Sequence, residues 1–574
     1  MKLKHDKARY LPNELVTFTL EQLPENLSAV VVDIYHLQLP VASFKVGPVL
    51  QQKKLVFTWQ APQQDFSGYL VKVTIASAEA AEQTIYTAID VSSDWRKFPR
   101  YGYLTDFSKG KDTAAIIDEM ANWQLNAIEY YDWKFLHHHP IPEDGKMDWE
   151  DWAGRKISGT TVKSYISEAK KRNIINMSYN MIYAATNNYL DYGIKEDWGL
   201  WYAGGEENKG RHAGERFVFK MGDSPSGQNS LYFFDIENPE WQDFIIQKNL
   251  EALEIMGFDG WHGDTVGEWG PMWTKKSFGN PEKSKRVKDG YKSFLNQAKK
   301  QLGAYFLSFN PVGAQGIEQV NKSAVDMLYA EIWPWDEDIY GEKFDSYGSL
   351  KKIVDRSRSE SGGKSLVVPA YMEYTYACSV AHEPFNMAAV LLTDAAVYAA
   401  GGSRIEIGDG HEMLSSEYFP NKSLYMDERH LQKQLDWQNF IVAYENLLRD
   451  GLEDNGKKIQ IQGEQVSSTG VPDTIWAYSK ENSNYETIQL INLSGVTHCD
   501  WRAADGVKEP PIAKTKLQLR YDTSASYQSC WFVSPDYPDL PIPLSWVTKE
   551  DADGKYIELQ VPQLEYWSML YFVK

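Results

Sequence analysis

The chain is poor in the features that point to a membrane, a nucleic acid, a metal or a disulfide framework. No apolar run reaches the roughly 18 to 20 residues that cross a bilayer, so no membrane span is expected. Basic residues are outnumbered, 59 Lys and Arg against 79 Asp and Glu, and the formal charge of −20 repels the phosphates of a nucleic acid. Only three cysteines occur in 574 residues, and Cys378, Cys499 and Cys530 lack the close spacing of metal ligands. They read as free or buried thiols, with one disulfide left open. HExxH is missing, and His137, His138 and His139 stand in a loop-like setting before Pro140, where consecutive side chains diverge. Gly362-Gly363 and Gly401-Gly402 read as turns, not as a phosphate-binding loop, so neither metal nor cofactor is expected. Asp551-x-Asp553-Gly554 lacks the later ligands of a calcium loop and reads as a hairpin turn. Met1 to Tyr10 is charged and unlike a signal sequence.

Aromatic residues are what the chain has in excess. Its 20 Trp and 35 Tyr, with aromatics at 14%, exceed what a core alone needs. Exposed indoles and phenols cover the flat C–H faces of sugars at little entropic cost. The length suits several domains, and the patterning divides it into three. Residues 1–96 alternate apolar and polar in short runs separated by turns, which predicts an immunoglobulin-like β-sandwich of six or seven strands. Residues 97–415 repeat strand and helix, and residues 416–574 return to period-2 runs after a short helical lead-in around Trp437 to Leu448, a second β-sandwich domain.

The middle part offers nine strand candidates for eight places: 100–104, 127–133, 175–183, 231–236, 258–262, 305–310, 325–332, 366–372 and Arg404 to Ile407. The weakest is Leu231 to Asp235, inside the long excursion 184–240. Helical patterns at 112–123, 160–172, 241–256, 285–301, 345–360 and 386–400 lie between most of them. This alternation predicts a (β/α)8 TIM barrel. The excursions 134–158 and 184–230, carrying Trp149, Trp152, Trp198 and Trp201, are too long for plain connectors and are expected to wall a cleft.

Two strand ends carry the chemistry. Gly257 to Gly270, GFDGWHGDTVGEWG, delivers His262, Asp264 and Glu268 at the C-terminal end of the fourth barrel strand, and Ala324 to Asp336, AVDMLYAEIWPWD, ends the sixth in Glu331 between aromatics. Carboxylates on separate strands are what glycosidic cleavage needs, one to protonate the leaving oxygen and one to attack or to activate water. Polar and aromatic groups after the other strands are expected to grip sugar: Tyr131 and Asp132, Tyr179 and Asn180, Asn310, Glu373 and Tyr374, and Asp409, together with Trp261, His262 and Trp333 beside the two acids. Asp259, early on its strand, reads as support, and Asp336 as rim charge.

The two strand-end motifs and the order sandwich, barrel, β domain resemble glycoside hydrolase family 66 over essentially the whole chain. The resemblance implies a retaining mechanism on α-1,6-glucan, with Asp264 as nucleophile and Glu331 as acid/base. Dextran or isomaltooligosaccharides would be the partner, the protein a monomer, and the setting extracellular, periplasmic or at the cell surface. The family holds endo-dextranases and cycloisomaltooligosaccharide glucanotransferases. The latter typically carry a binding module inserted late in the barrel, and here only about fourteen residues separate the seventh strand from its helix, so hydrolysis is expected over cyclisation. A non-catalytic glucan-binding protein is the alternative of another class, yet such a protein has no need of two acids on separate strands.

Overall fold

A computed structural model describes the chain except for residues 25–26, 48–53, 78–80, 221–229 and 338–340. The N-terminal part is two antiparallel sheets of seven strands. Lys2–His5, Leu15–Glu21 and Leu55–Gln60 form one; Leu39–Val46, Leu27–His36, Ser67–Ser77 and Gln83–Val91 form the other, in that spatial order. Alternate residues such as Val16, Phe18, Leu20, Val30, Val32 and Ile34 face inward and close one core between the sheets.

Eight parallel strands then form the central sheet in chain order: β1 (Tyr101–Leu104), β2 (Ala127–Tyr130), β3 (Ile175–Met181), β4 (Gly260–Asp264), β5 (Phe306–Phe309), β6 (Met327–Tyr329), β7 (Leu366–Val368) and β8 (Ser403–Arg404). Tyr103 N donates to Ile407 O at 3.3 Å just past β8, which brings the last strand back to the first. The outer ring is α1 (Thr113–Asn122), α2 (Gly159–Lys171), α3 (Pro239–Met256), α4 (Tyr291–Leu302), α5 (Ile317–Asn321), α6 (Tyr347–Ser361), α7 (Met387–Tyr398) and α8 (Glu428–Ala443). Local sequence explains α3, the helix that delivers β4. Asn238 caps its start by accepting from Glu240 N and Trp241 N, Pro239 takes the first turn, and Gly257 ends it at φ 88°.

Three features differ from the sequence reading. The candidate strand 231–236 lies outside the barrel, where Ser230–Phe233 pairs antiparallel with Ala184–Thr186 and Val218–Lys220; within that excursion residues 221–229 lie outside the described residues. The five-residue α5 carries too little periodicity to register as a helix. The helical lead-in to the last part occupies the eighth place of the ring: Gln434 of α8 donates to Asp394 of α7 at 3.0 Å and to Glu406 at 2.7 Å.

The C-terminal part is again two sheets. One runs Glu453–Asp454, Ile475–Glu481, Tyr485–Asn492, Trp567–Val573, Ser529–Val533, Ile542–Leu544; the other runs Ile459–Ile461, Lys514–Asp522, Gly554–Leu564, Trp546–Asp551. Ile475, Ile488, Leu490, Leu519, Ile557, Val561 and Leu570 pack between them. Asp551 and Gly554 close a hairpin, as the sequence implied. All three cysteines are free thiols. Among the described residues no helix is long and apolar enough to cross a membrane.

Candidate active site

Side chains alternate along a strand, so one set of positions fills the barrel and the other faces the helices. Tyr101 and Tyr103, Ala127, Met177, Met327 and Tyr329, Val367 and Ile405 form one inward cluster. Continuing that parity places Glu129 and Tyr131 on β2, Tyr179 on β3, His262 and Asp264 on β4, Ser308 and Asn310 on β5, and Glu331 after β6 inside the same barrel, toward its C-terminal mouth.

The two expected acids meet there. Asp264 and Glu331 are 8% and 6% exposed. Asn310 Nδ2 donates to Asp264 Oδ1 at 2.9 Å and to Glu331 Oε2 at 3.1 Å, which bounds the separation of those oxygens at 6.0 Å, the sum of the two contacts. Asn310 Oδ1 accepts from Glu331 N at 3.0 Å, so the amide is locked from both ends. The second oxygen of Asp264 accepts from Tyr179 Oη at 2.6 Å. Glu331 Oε1 accepts from Trp333 Nε1 at 2.5 Å, and Tyr371 Oη donates to Oε2 at 3.3 Å.

These surroundings separate the two acids in proton affinity. Burial pushes Asp264 up to about 6, opposed by donation from Tyr179, Thr265 N and Asn310 and by the charge of Lys134. Burial together with the negative charge of Asp264 pushes Glu331 further, to about 8. At neutral pH the site therefore holds one carboxylate and one carboxylic acid. Glu129, a third acid that sequence reading missed, is pushed well above the usual carboxylate range by burial and by the charges of Asp264 and Asp132. Its inward parity two residues before Tyr131 was the available signal.

The remaining expected residues divide. Tyr131 stacks on Phe419 at 4.5 Å and lies 4.9 Å from Tyr179. Asp132 leaves the strand at φ 51° and pairs with Lys134 and Arg155, both at 2.6 Å. Lys134, also missed, is buried 4.5 Å from the Tyr179 ring centroid. Tyr374 lies at the rim with its hydroxyl on Glu417.

The other expected residues have partners within the protein. Trp261 and Asn180 have outward parity: Trp261 is buried against Phe294 with its indole N–H on Asn180 O, and the Asn180 amide serves His137 and Asn249. His262 points inward but lies on the floor, 1% exposed, bonded to Ser308 and kept neutral by burial, which lowers it to about 3. Asp409 is taken by Asp106 N and by Lys422. Glu373 accepts from Asn386 N at the start of α7. Trp149, Trp152, Trp198 and Trp201 are each at most 8% exposed, packed largely within the excursions, and Trp149 borders a surface pocket with Phe135, Asp148 and Asp151. Among the described residues the exposed aromatics are Phe278, Trp335, Tyr376 and Tyr418. His137 to His139 are buried too, and no metal-ligand cluster occurs among the described residues.

Comparison with known proteins gives one family. The model of glycosyl hydrolase family 66 matches residues 5–571. The chain is 27% identical to a cycloisomaltooligosaccharide glucanotransferase of Niallia circulans over 719 positions, covering 99% of this chain and 71% of that one. It is 27% identical to a dextranase of Streptococcus salivarius over 570 positions, covering 88% and 67%. The crystal structure of a Paenibacillus sp. cycloisomaltooligosaccharide glucanotransferase complexed with cycloisomaltoheptaose superposes with a TM-score of 0.88 at 25% identity, covering 100% of this chain and 99% of that one.

Proposed function

The chain belongs to glycosyl hydrolase family 66, and from that membership we propose that it cuts α-1,6-glucosidic bonds within dextran by double displacement, releasing linear isomaltooligosaccharides. The observation that carries the mechanism is the single amide bridging both acids. Their oxygens lie within 6.0 Å, short of the roughly 6.5 Å at which inverting pairs begin, because an inverting enzyme keeps a water between its general base and the anomeric carbon. Asp264, ionised near neutrality, attacks the anomeric carbon while protonated Glu331 gives its proton to the departing oxygen. Esterification then removes the negative charge of Asp264, the proton affinity of Glu331 falls, and the same carboxylate takes a proton from the incoming water. Two inversions restore the α configuration.

Hydrolysis is favoured over cyclisation by what lies after β7. Between Val368 and Met387 the chain holds one helical turn, Tyr374–Ala377, and the two-residue strand Glu383–Pro384, with no further folded module. The alignment with the glucanotransferase spans 719 positions against 574 residues here, so at least 145 positions of that alignment, the difference, have no counterpart in this chain. A glucan tail without a second anchor has a low effective concentration at the intermediate, and water wins.

The test is product analysis on dextran. Linear products, with the α anomer first by proton NMR, are expected, and Asp264→Asn should retain below about one per cent of the rate. A β anomer first sinks the double displacement; cyclic products dominating the early chromatogram sink hydrolysis in favour of cyclisation.

A further inference from the structure

The barrel does not complete the rim beside Glu331; the C-terminal part does. Its segment Cys499 to Val507 lies against the ends of β6 and β7 and is pinned at several points. Tyr347 N donates to Cys499 O at 3.1 Å and Glu373 N to Arg502 O at 2.9 Å. Trp501 is buried with its indole N–H on Phe344 O, and Asn386 Nδ2 donates to Ala504 O and Val507 O. These bonds give Arg502 a defined position. Its guanidinium carbon lies 4.2 Å from the Tyr374 ring centroid, 4.3 Å from that of Trp335 and 4.7 Å from that of Trp333.

The chemistry of this cluster is unusual for a structural arginine. Three aromatic rings hold the cation; Glu417 and Asp500 act on it only at longer range, and among the described residues no carboxylate reaches ion-pair distance and no protein acceptor takes its guanidinium N–H groups, Asp500 accepting from Arg502 N instead. A cation packed on aromatic rings keeps its donors free for another acceptor. Trp335 stacks on Trp333 at 5.0 Å and is still 58% exposed. Trp333 in turn holds Glu331, so the cluster borders the side of the site where the acid meets the departing oxygen.

We propose that Arg502 and Trp335 form the binding position for the glucose unit on the leaving-group side, with Arg502 donating to its hydroxyls and Trp335 covering a C–H face. This rests on the glycosidase reading above and deepens it. In the second half-reaction the same position receives an acceptor sugar, so a residue from outside the barrel sets the division between hydrolysis and transfer. Water needs no such grip.

The experiment measures that division directly in the full chain. Wild type, Arg502→Met and Arg502→Lys act on dextran with labelled isomaltotriose as added acceptor, and labelled longer products are counted against new reducing ends. Arg502→Met should lower the ratio of transfer to hydrolysis about tenfold, the worth of a charge-assisted hydrogen bond. Arg502→Lys should fall between, and thermal melting of both should match wild type. The alkaline limb of kcat/KM should stay in place. An unchanged ratio, or no transfer by the wild type at any acceptor concentration, overturns the proposal. So does a shift of the alkaline limb with both reactions falling together, which makes Arg502 a support for Trp333 and Glu331 only. If the wild type leaves dextran uncut, the glycosidase reading itself fails and takes this inference with it.

Discussion

At the scale of single residues, the proposed function rests on two carboxyl groups whose surroundings give them different proton affinities. The activity should follow from the order of their affinities. As pH rises through about 6, Asp264 ionises and kcat/KM climbs; as it rises through about 8, Glu331 loses its proton and kcat/KM falls, giving a bell centred near neutrality. Glu331→Gln should abolish cleavage of dextran, flatten the alkaline limb on an activated aryl glucoside, and accept azide to give an α-configured glycosyl azide. Stability runs against activity here. The folded protein raises the proton affinity of Glu331, so its contribution is complete below the ordinary glutamate value of 4.5 and is lost as pH rises toward about 8. The thermal advantage of Glu331→Gln over wild type should therefore grow between those values and level off above; melting curves across that range check it. The two acids were legible in the sequence because each ends an apolar strand among aromatics. Glu129 and Tyr371 were less so, since neither stands out in composition, and Lys134 was hidden in the loop-like run after β2.

At the scale of elements, strand parity decided which residues reach the site. Trp261 adjoins His262 in sequence and stands three residues before Asp264, yet it faces the helices, because odd and even positions of a strand look opposite ways. Proximity in sequence was the wrong guide there, and counting from Asp264 by twos gives the right one. The backbone of β4 itself has little slack. A Cβ on Gly260 would stand 2.5 Å from Phe306 O and 2.8 Å from Met177 Sδ, the neighbours on β5 and β3. Gly260→Ala should therefore shift β4, destabilise the protein by about 1–3 kcal/mol and lower kcat about a hundredfold through displacement of Asp264. Gly47→Ala, where nothing among the described residues lies within 4 Å, is the control and should change neither. Urea denaturation and kcat on dextran measure both effects.

At the scale of the whole molecule, buried charge ties the N-terminal sandwich to the barrel. Arg100, just before β1, pairs with Asp90 of the N-terminal sandwich at 2.7 Å and with Glu445 after α8 at 3.3 Å, all at most 1% exposed. Arg100→Met strands two buried acids and should cost about 3–5 kcal/mol, seen as an earlier calorimetric transition, with much of the loss recovered when Asp90 and Glu445 are also replaced by apolar residues. A melting profile unchanged by Arg100→Met would mean the parts are held by packing alone. The sequence by itself determined the barrel and its two flanking β parts and singled out Asp264 and Glu331 as candidates, since hydrophobic periodicity and strand-end composition are local properties of the chain. Only the tertiary structure decided that Asn310 bridges the acids, that the cleft tryptophans are packed away, and that Arg502, 171 positions beyond Glu331, borders the site. Those facts depend on which strands become neighbours and which side chains share the barrel interior, and no local pattern encodes contacts between residues so far apart.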